Sequence, residues 1–301
     1  MGNETAMSEN AALAVVKETF GEFGSDKAAR LAAAISYTAI FSIAPLFIIM
    51  IAIAGYFFGL SNGGHGHHVA QQQIVGAVSS AMGKDAGDTV NTLIKSTYSK
   101  PHQGFIASLI SWIVFIVGAM GLFASLQDSL NTVWHVEPKK MGLWTIVRER
   151  AAALAGVIGI GLLLIISAIA NAAFTFVSTY LTKLFPFPAF GALLQLATYV
   201  LSLVIVTILF AFIYKVLPDA KIAWSDVWLG AIVTAILFMI GQVIISLYIG
   251  HSGVSSTYSG FGSLLAILLW IYYSSMILLL GAEFTKVYAK HRGTAIAGVT
   301  A

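Results

Sequence analysis

The stretch VWLGAIVTAILFMIGQVIISLYIGHSGVSSTYSGFGSLLAILLWIYYSSMILLLGA, Val227 to Ala282, runs for 56 residues without a Lys, Arg, Asp or Glu. A bilayer core about 30 Å thick needs about 20 apolar residues at roughly 1.5 Å rise each. The run is too long for one crossing, and GHSGVSSTYSGFGS (Gly250 to Ser263) interrupts it with glycine and serine. It therefore reads as two transmembrane helices, about 227–249 and 262–281, flanking a Gly/Ser segment.

The same criterion applied upstream finds four more spans. Leu184 to Tyr214 gives a helix over about 189–214, beginning after the turn signals Pro186 and Pro188. Ala151 to Thr182 gives about 152–179, and Pro101 to Gln127 gives about 105–126. Leu31 to Gly83 gives about 31–58, because its apolar part ends near Leu60, where SNGGHGHH begins. A single all-round apolar helix can sit in a soluble core. Six cannot, since only 10% of the 301 residues are charged and 58% are hydrophobic, against about 25% charged in a soluble domain. The mean hydropathy of +0.87 agrees. The fold class is all-α: a polytopic membrane protein whose residues 1–301 form one transmembrane domain. The first span is not read as a cleaved signal peptide, because it starts about 30 residues in and exceeds a roughly 7–15-residue apolar core.

The cations orient the chain. Lys17, Lys27, Arg30, Lys139, Lys140, Arg148, Arg150, Lys215, Lys221, Lys286, Lys290 and Arg292 fall on one side of the spans; Lys84, Lys95, Lys100 and Lys183 fall on the other. By the positive-inside rule both termini are cytoplasmic. The long loop 61–103 then faces outward, with helical periodicity in Val69 to Met82 and Thr89 to Tyr98. In Ala11 to Phe23, Leu13, Val16, Phe20 and Phe23 recur at helical spacing opposite Lys17, Glu18 and Glu22. This reads as an amphipathic helix on the inner membrane surface, or as a lead-in to the first span.

Few residues invite chemistry. There is no cysteine, which removes disulfides, thiolate metal sites and thiol nucleophiles. His65, His67 and His68 crowd a Gly-rich loop but lack the fixed geometry a metal site requires, so they read as loop decoration and no metal is expected. HExxH, GxSxG and phosphate-loop motifs are missing, so an enzyme is disfavoured and no cofactor is implied. The net charge of +3 suggests no nucleic-acid partner. Asp128 and Glu283 are the carboxylates nearest the spans, and an ionisable group at membrane depth is a functional hypothesis by default. Asp128 can equally form an interfacial ion pair with Arg148 or Arg150. Uncharged polar groups within spans either glue helices together or line a path. A substrate path drawn from these groups takes in Tyr37, Ser42, Pro45, Asp128, Asn131, Asn171, Gln242, Tyr248, Tyr258, Gly260, Ser263 and Glu283. The small-residue runs at Gly55 to Gly59, Gly118 to Gly121 and Gly156 to Gly161 point to close packing.

Several blocks in order resemble the YihY/BrkB family of bacterial inner-membrane proteins: AAAISYTAIFSIAPLFIIMI from Ala32, SLQDSLNTVWHVEP, YKVLPDAKIAWSDVWLGAIVTA, and YSGFGSLLAILLWIYYSSMILLLGAEF. Together they extend over about Ala11 to Lys290. The resemblance implies a six-helix, multi-pass protein of the bacterial inner membrane. It associates some members with serum resistance or envelope lipid export, and an older label names a tRNA-processing ribonuclease, ribonuclease BN. The residues argue against that label, offering no soluble domain, no carboxylate or histidine metal cluster on the cytoplasmic side and no basic RNA-binding stripe. The leading expectation is a transporter or flippase-like protein that meets membrane lipids and an amphiphilic or lipid-linked envelope substrate. The alternative is a non-transporting scaffold of an envelope complex. The sequence leaves the substrate and the oligomeric state open.

Overall fold

The computed structural model describes residues 2–40, 105–136, 188–251 and 262–294, with scattered positions within 71–95 and 174–181. Among the described residues the fold is helical and has no strand. Helix α1 is Gly2–Ser25 and α2 is Ala28–Ile40. Helix α3 is Phe105–Val133, α4 Pro188–Val216, α5 Trp224–His251 and α6 Gly262–Arg292. Phe190–Val216, Trp224–Ile245 and Ile267–Arg292 are long and apolar enough to cross a membrane. They carry the fourth, fifth and sixth expected spans. Helix α3 covers the second, α2 the start of the first, and most of the third lies outside the described residues. In the expected outer loop, the described positions from Gln71 to Lys95 are helical, and Gln71 Nε2 donates to Asn91 Oδ1 at 2.7 Å.

Local chemistry sets the helix ends. Helix α4 opens on Pro188, whose fixed φ suits a first turn, and stops before Leu217 and Pro218, since a residue preceding proline is pushed out of helical geometry. Helix α5 carries Asp226 in its first turn and α6 carries Lys290, His291 and Arg292 in its last, each the sign that the helix dipole favours. Gly293, at φ 73°, caps α6 in a conformation that L side chains adopt only with strain. Exposed apolar ridges run down α4 (Leu196, Val200, Val204, Ile208) and α5 (Trp228, Ile232, Ile236, Ile240) at four-residue spacing. Outward apolar faces are a liability in water and a requirement in lipid.

The chain divides into two compact units. The first comprises 1–28, 126–239 and 277–301. Its core is a close crossing of α5 and α6. A Cβ on Gly230 would strike Thr285, and one on Gly281 would strike Thr234, so two Gly-x-x-x-Thr segments meet antiparallel with no room to spare. Each threonine donates to the carbonyl of its own glycine, Thr234 to Gly230 and Thr285 to Gly281, both at 2.7 Å. Tyr214, on α4 and fully buried, donates to the Leu278 carbonyl at 2.7 Å and lies 2.9 Å from Thr234 Oγ1. Trp134 packs edge-on against its ring at 5.9 Å. The packing expected around Gly118 to Gly121 does not extend to Gly121, where a Cβ would meet nothing within 4 Å. The second unit comprises 29–125 and 240–276. In it Ser36 bonds back to the Ala32 carbonyl at 2.7 Å, and Ile245 packs with Trp270 and Tyr273.

Candidate functional site

Among the described residues, a cluster of charge gathers in the first unit, on the end of α6. Glu283 is fully buried one turn before Lys286, whose Nζ lies 2.7 Å from Glu283 Oε2. The same ammonium donates to Glu22 Oε2 and Asp26 Oδ2, each at 2.9 Å. One turn further along, Lys290 donates to Glu18 at 2.7 Å, and His291 Nε2 lies 3.5 Å from the same carboxylate. As the numbers rise along α1 from Glu18 through Glu22 to Asp26, their partners fall along α6 from Lys290 to Lys286. Helix α1 therefore packs antiparallel on the end of α6.

The segment expected as a surface helix or a lead-in to the first span thus packs along the end of α6. Its acidic face is turned onto α6. Leu13, Val16 and Phe20, on the opposite face, are left 68%, 49% and 60% exposed.

A second element closes on the same carboxylates. Helix α3 ends at Val133, and His135 takes the left-handed conformation (φ 50°) as Val136 N donates to the Asn131 carbonyl at 2.9 Å. This turn carries His135 Nε2 to 3.0 Å from Asp26 Oδ1. At the end of α1, Lys27 is also left-handed (φ 55°), and Asp26 N still bonds the Glu22 carbonyl at 2.9 Å, which keeps both acids on one face. Burial works against ionisation of Asp26, but hydrogen bonds from His135 and Lys286 outweigh it and hold the carboxyl below its usual 3.8. The hydrogen bond from Lys290 likewise holds Glu18 below 4.5.

Glu22, Asp26 and His135 can thus offer three ligand atoms within 4.8 Å of one another. The sequence reading found no carboxylate–histidine cluster, and this grouping removes that one argument against the ribonuclease label. Glu22 and Asp26 read as the solvated side of an amphipathic helix. The only local signal was their spacing of four, which puts both on one face.

Nearby, Asn131 forms a reciprocal clamp with Asp219. Its Nδ2 donates to Asp219 Oδ2 at 3.1 Å and its Oδ1 accepts from Asp219 N at 2.9 Å. Asp226, fully buried, accepts from Arg292 at 3.3 Å. Neither aspartate was singled out in advance. Of the expected path residues, Glu283 and Asn131 lie in this unit's polar layer, while Asp128 is exposed. Tyr37 is 65% exposed on α2, and Gln242 is half-buried on α5. Tyr248 and Ser263 lie in α5 and α6. Ser42, Pro45, His65, His67, His68, Asn171, Tyr258 and Gly260 lie outside the described residues.

Residues 19–298 match the family described as Virulence factor BrkB. A UPF0761 membrane protein of Pseudomonas aeruginosa is 27% identical over 270 residues, 86% of this chain and 59% of that protein. A UPF0761 membrane protein of Azotobacter vinelandii is 26% identical over 275 residues, 88% of this chain and 60% of its own length. One from Tolumonas auensis reaches 30% over 183 residues, 58% of this chain and 56% of that protein. The chain thus spans about three-fifths of the length of these curated relatives. No solved structure matches it.

Proposed function

This chain is an integral membrane protein of the Virulence factor BrkB family, and from that premise we propose that it moves an amphiphilic or lipid-linked envelope substrate across the bacterial inner membrane. In this reading it crosses the membrane six times with both termini cytoplasmic, uses no cofactor and performs no covalent chemistry. The observation that carries the proposal is Glu283. A fully buried carboxylate on a spanning helix is costly to keep and is retained where an ionic contact must form and break. Here it belongs to a layer that joins α1 and the end of α3 to the last span, positioned to act as the inner latch of a path.

The test is reconstitution of the full chain in liposomes of bacterial lipid, with fluorescent lipid and lipid-linked sugar as cargo. Cargo should move faster than in empty vesicles, and Glu283→Gln should slow it at least about tenfold, a change of roughly 1.4 kcal/mol in barrier. Flux equal to that of empty vesicles for every amphiphile tried would sink the reading.

One observation favours a second reading, a scaffold within an envelope complex. The Leu13, Val16 and Phe20 ridge of α1 is apolar and exposed, as a contact surface for another protein would be. Photocrosslinkers placed at these three positions should then capture a discrete partner in native membranes. Labelling of lipid alone would count against it.

A further inference from the structure

Among the described residues the ionic layer holds more acid than base. Around Lys286 Nζ stand Glu22, Asp26 and Glu283, three carboxylates to one ammonium, with His135 on the far side of Asp26. Over the wider layer Glu18, Glu22, Asp26, Asp226 and Glu283 meet Lys286, Lys290 and Arg292, five acids to three permanent cations. Two of these acids, Asp226 and Glu283, are fully buried, and such a surplus of acid over base is the setting in which a further cation would be held. Glu283 makes the same point separately. It is completely buried, its Oε1 has no hydrogen-bond partner, and its Oε2 lies 2.7 Å from the Lys286 ammonium at the focus of the group.

We propose that Glu22, Asp26 and His135 form a divalent transition-metal site beside the buried Glu283, in which the metal exchanges with the Lys286 ammonium. The ligand atoms of Glu22, Asp26 and His135 all lie within 4.8 Å of one another. Opposed ligands at about 2.0–2.2 Å from one ion sit roughly 4 Å apart, so only a small inward shift is required. Carboxylate oxygens with one imidazole suit Mn²⁺ or Zn²⁺, and the imidazole disfavours Mg²⁺ or Ca²⁺. Lys286 holds the ligands together when no metal is present and leaves on its flexible stem when one binds. The proposal makes no use of transport, and it survives or fails on metal binding alone.

The probe is Mn²⁺, titrated into the purified full chain in detergent and followed by loss of the free-ion paramagnetic resonance signal. The wild type should bind one ion saturably. Lys286→Met should bind at least about tenfold more tightly, because the competing ammonium is gone. It should also melt lower than wild type in chelator and recover with Mn²⁺. His135→Ala, at a half-exposed position that does not threaten folding, should weaken binding about 10–100-fold. No saturable binding in the folded wild type and Lys286→Met proteins overturns the proposal. So does a Lys286→Met protein that binds no more tightly than wild type, since the lysine would then not share the site.

Discussion

Two polar layers share the first unit and are built on opposite principles. At the α5–α6 crossing every group is neutral. Tyr214 gives its one proton to the Leu278 carbonyl, Thr234 gives its own to the Gly230 carbonyl, and the two hydroxyl oxygens lie 2.9 Å apart. Closer to the end of α6 the groups are charged: Lys286 Nζ lies 2.7 Å from Glu283 Oε2, while Glu283 Oε1 and Asp226 Oδ2 are buried without a hydrogen-bond partner. In the neutral layer both hydroxyls spend their protons on backbone carbonyls, and the one buried donor without a partner is the uncharged Trp134 Nε1, so nothing in it responds to protons or cations. The charged layer holds more acid than base, so it answers to protons, cations and whatever competes for Lys286. The first is how a membrane protein fixes two helices; the second is how it keeps a contact that can be released.

The contrast breaks most sharply at the crossing. Gly281→Val puts a branched side chain where Thr234 and the Tyr214 hydroxyl already stand. Thermal unfolding in detergent should show a loss of about 3 kcal/mol, the upper part of the usual overpacking range. The same substitution at Gly121, which faces open space, should cost far less. Tyr214→Phe is the next largest. It keeps the ring edge-on to Trp134 and stacked on Phe210 but strips the Leu278 carbonyl of its donor, a loss of about 1–2 kcal/mol. A Tyr214→Phe protein as stable as wild type would show that the hydroxyl network contributes nothing to the fixed character of this layer.

What could be read in advance follows the same division. Spans are local properties of composition, so α4 to α6 were legible, as was the start of α4 beside Pro188. Glu283 stood out because a carboxylate next to a charge-free run is rare, and Asp128 stood out on the same ground but is exposed. The Gly-x-x-x-Thr crossing was hidden, because Gly230 and Gly281 resemble every other small residue in these helices. Only the opposing threonines, 55 and 47 positions away in sequence, give them meaning. Glu22 and Asp26 looked like a solvated face for the same reason. Their partner Lys286 lies more than 250 residues downstream, and no local pattern announces that pairing.

Acid should separate the layers more gently than mutation. Asp26 and Glu18 are held below 3.8 and 4.5 in the folded chain, so their stabilisation is complete above those values and fades as pH falls through the lower folded ones. The chain has no cysteine, so spin labels at Lys17→Cys and Thr294→Cys report the α1–α6 distance cleanly. That distance should hold from pH 7 to about 5 and broaden below about 4. The Tyr214 layer, neutral on both sides of this window, should not respond. Broadening that begins near pH 7 would mean that these two carboxylates do not govern the contact.

The smallest effect is expected at Lys290, and it sharpens the comparison from inside the charged layer. Lys290 and Lys286 sit one turn apart on α6 and each meets a glutamate of α1, at 2.7 and 2.9 Å. Contact distance alone would rank Lys290 first. Its side chain, however, is 69% exposed, against 11% for Lys286. Water and salt screen the outer pair, and fixing two long side chains costs entropy that such a pair barely recovers. Lys290→Met should therefore leave both the melting temperature and the α1–α6 distance within error of wild type, while Lys286→Met in chelator changes both. If the outer substitution frees α1 as fully as the inner one, burial is not what gives this layer its strength, and its distinction from an ordinary surface ion pair disappears.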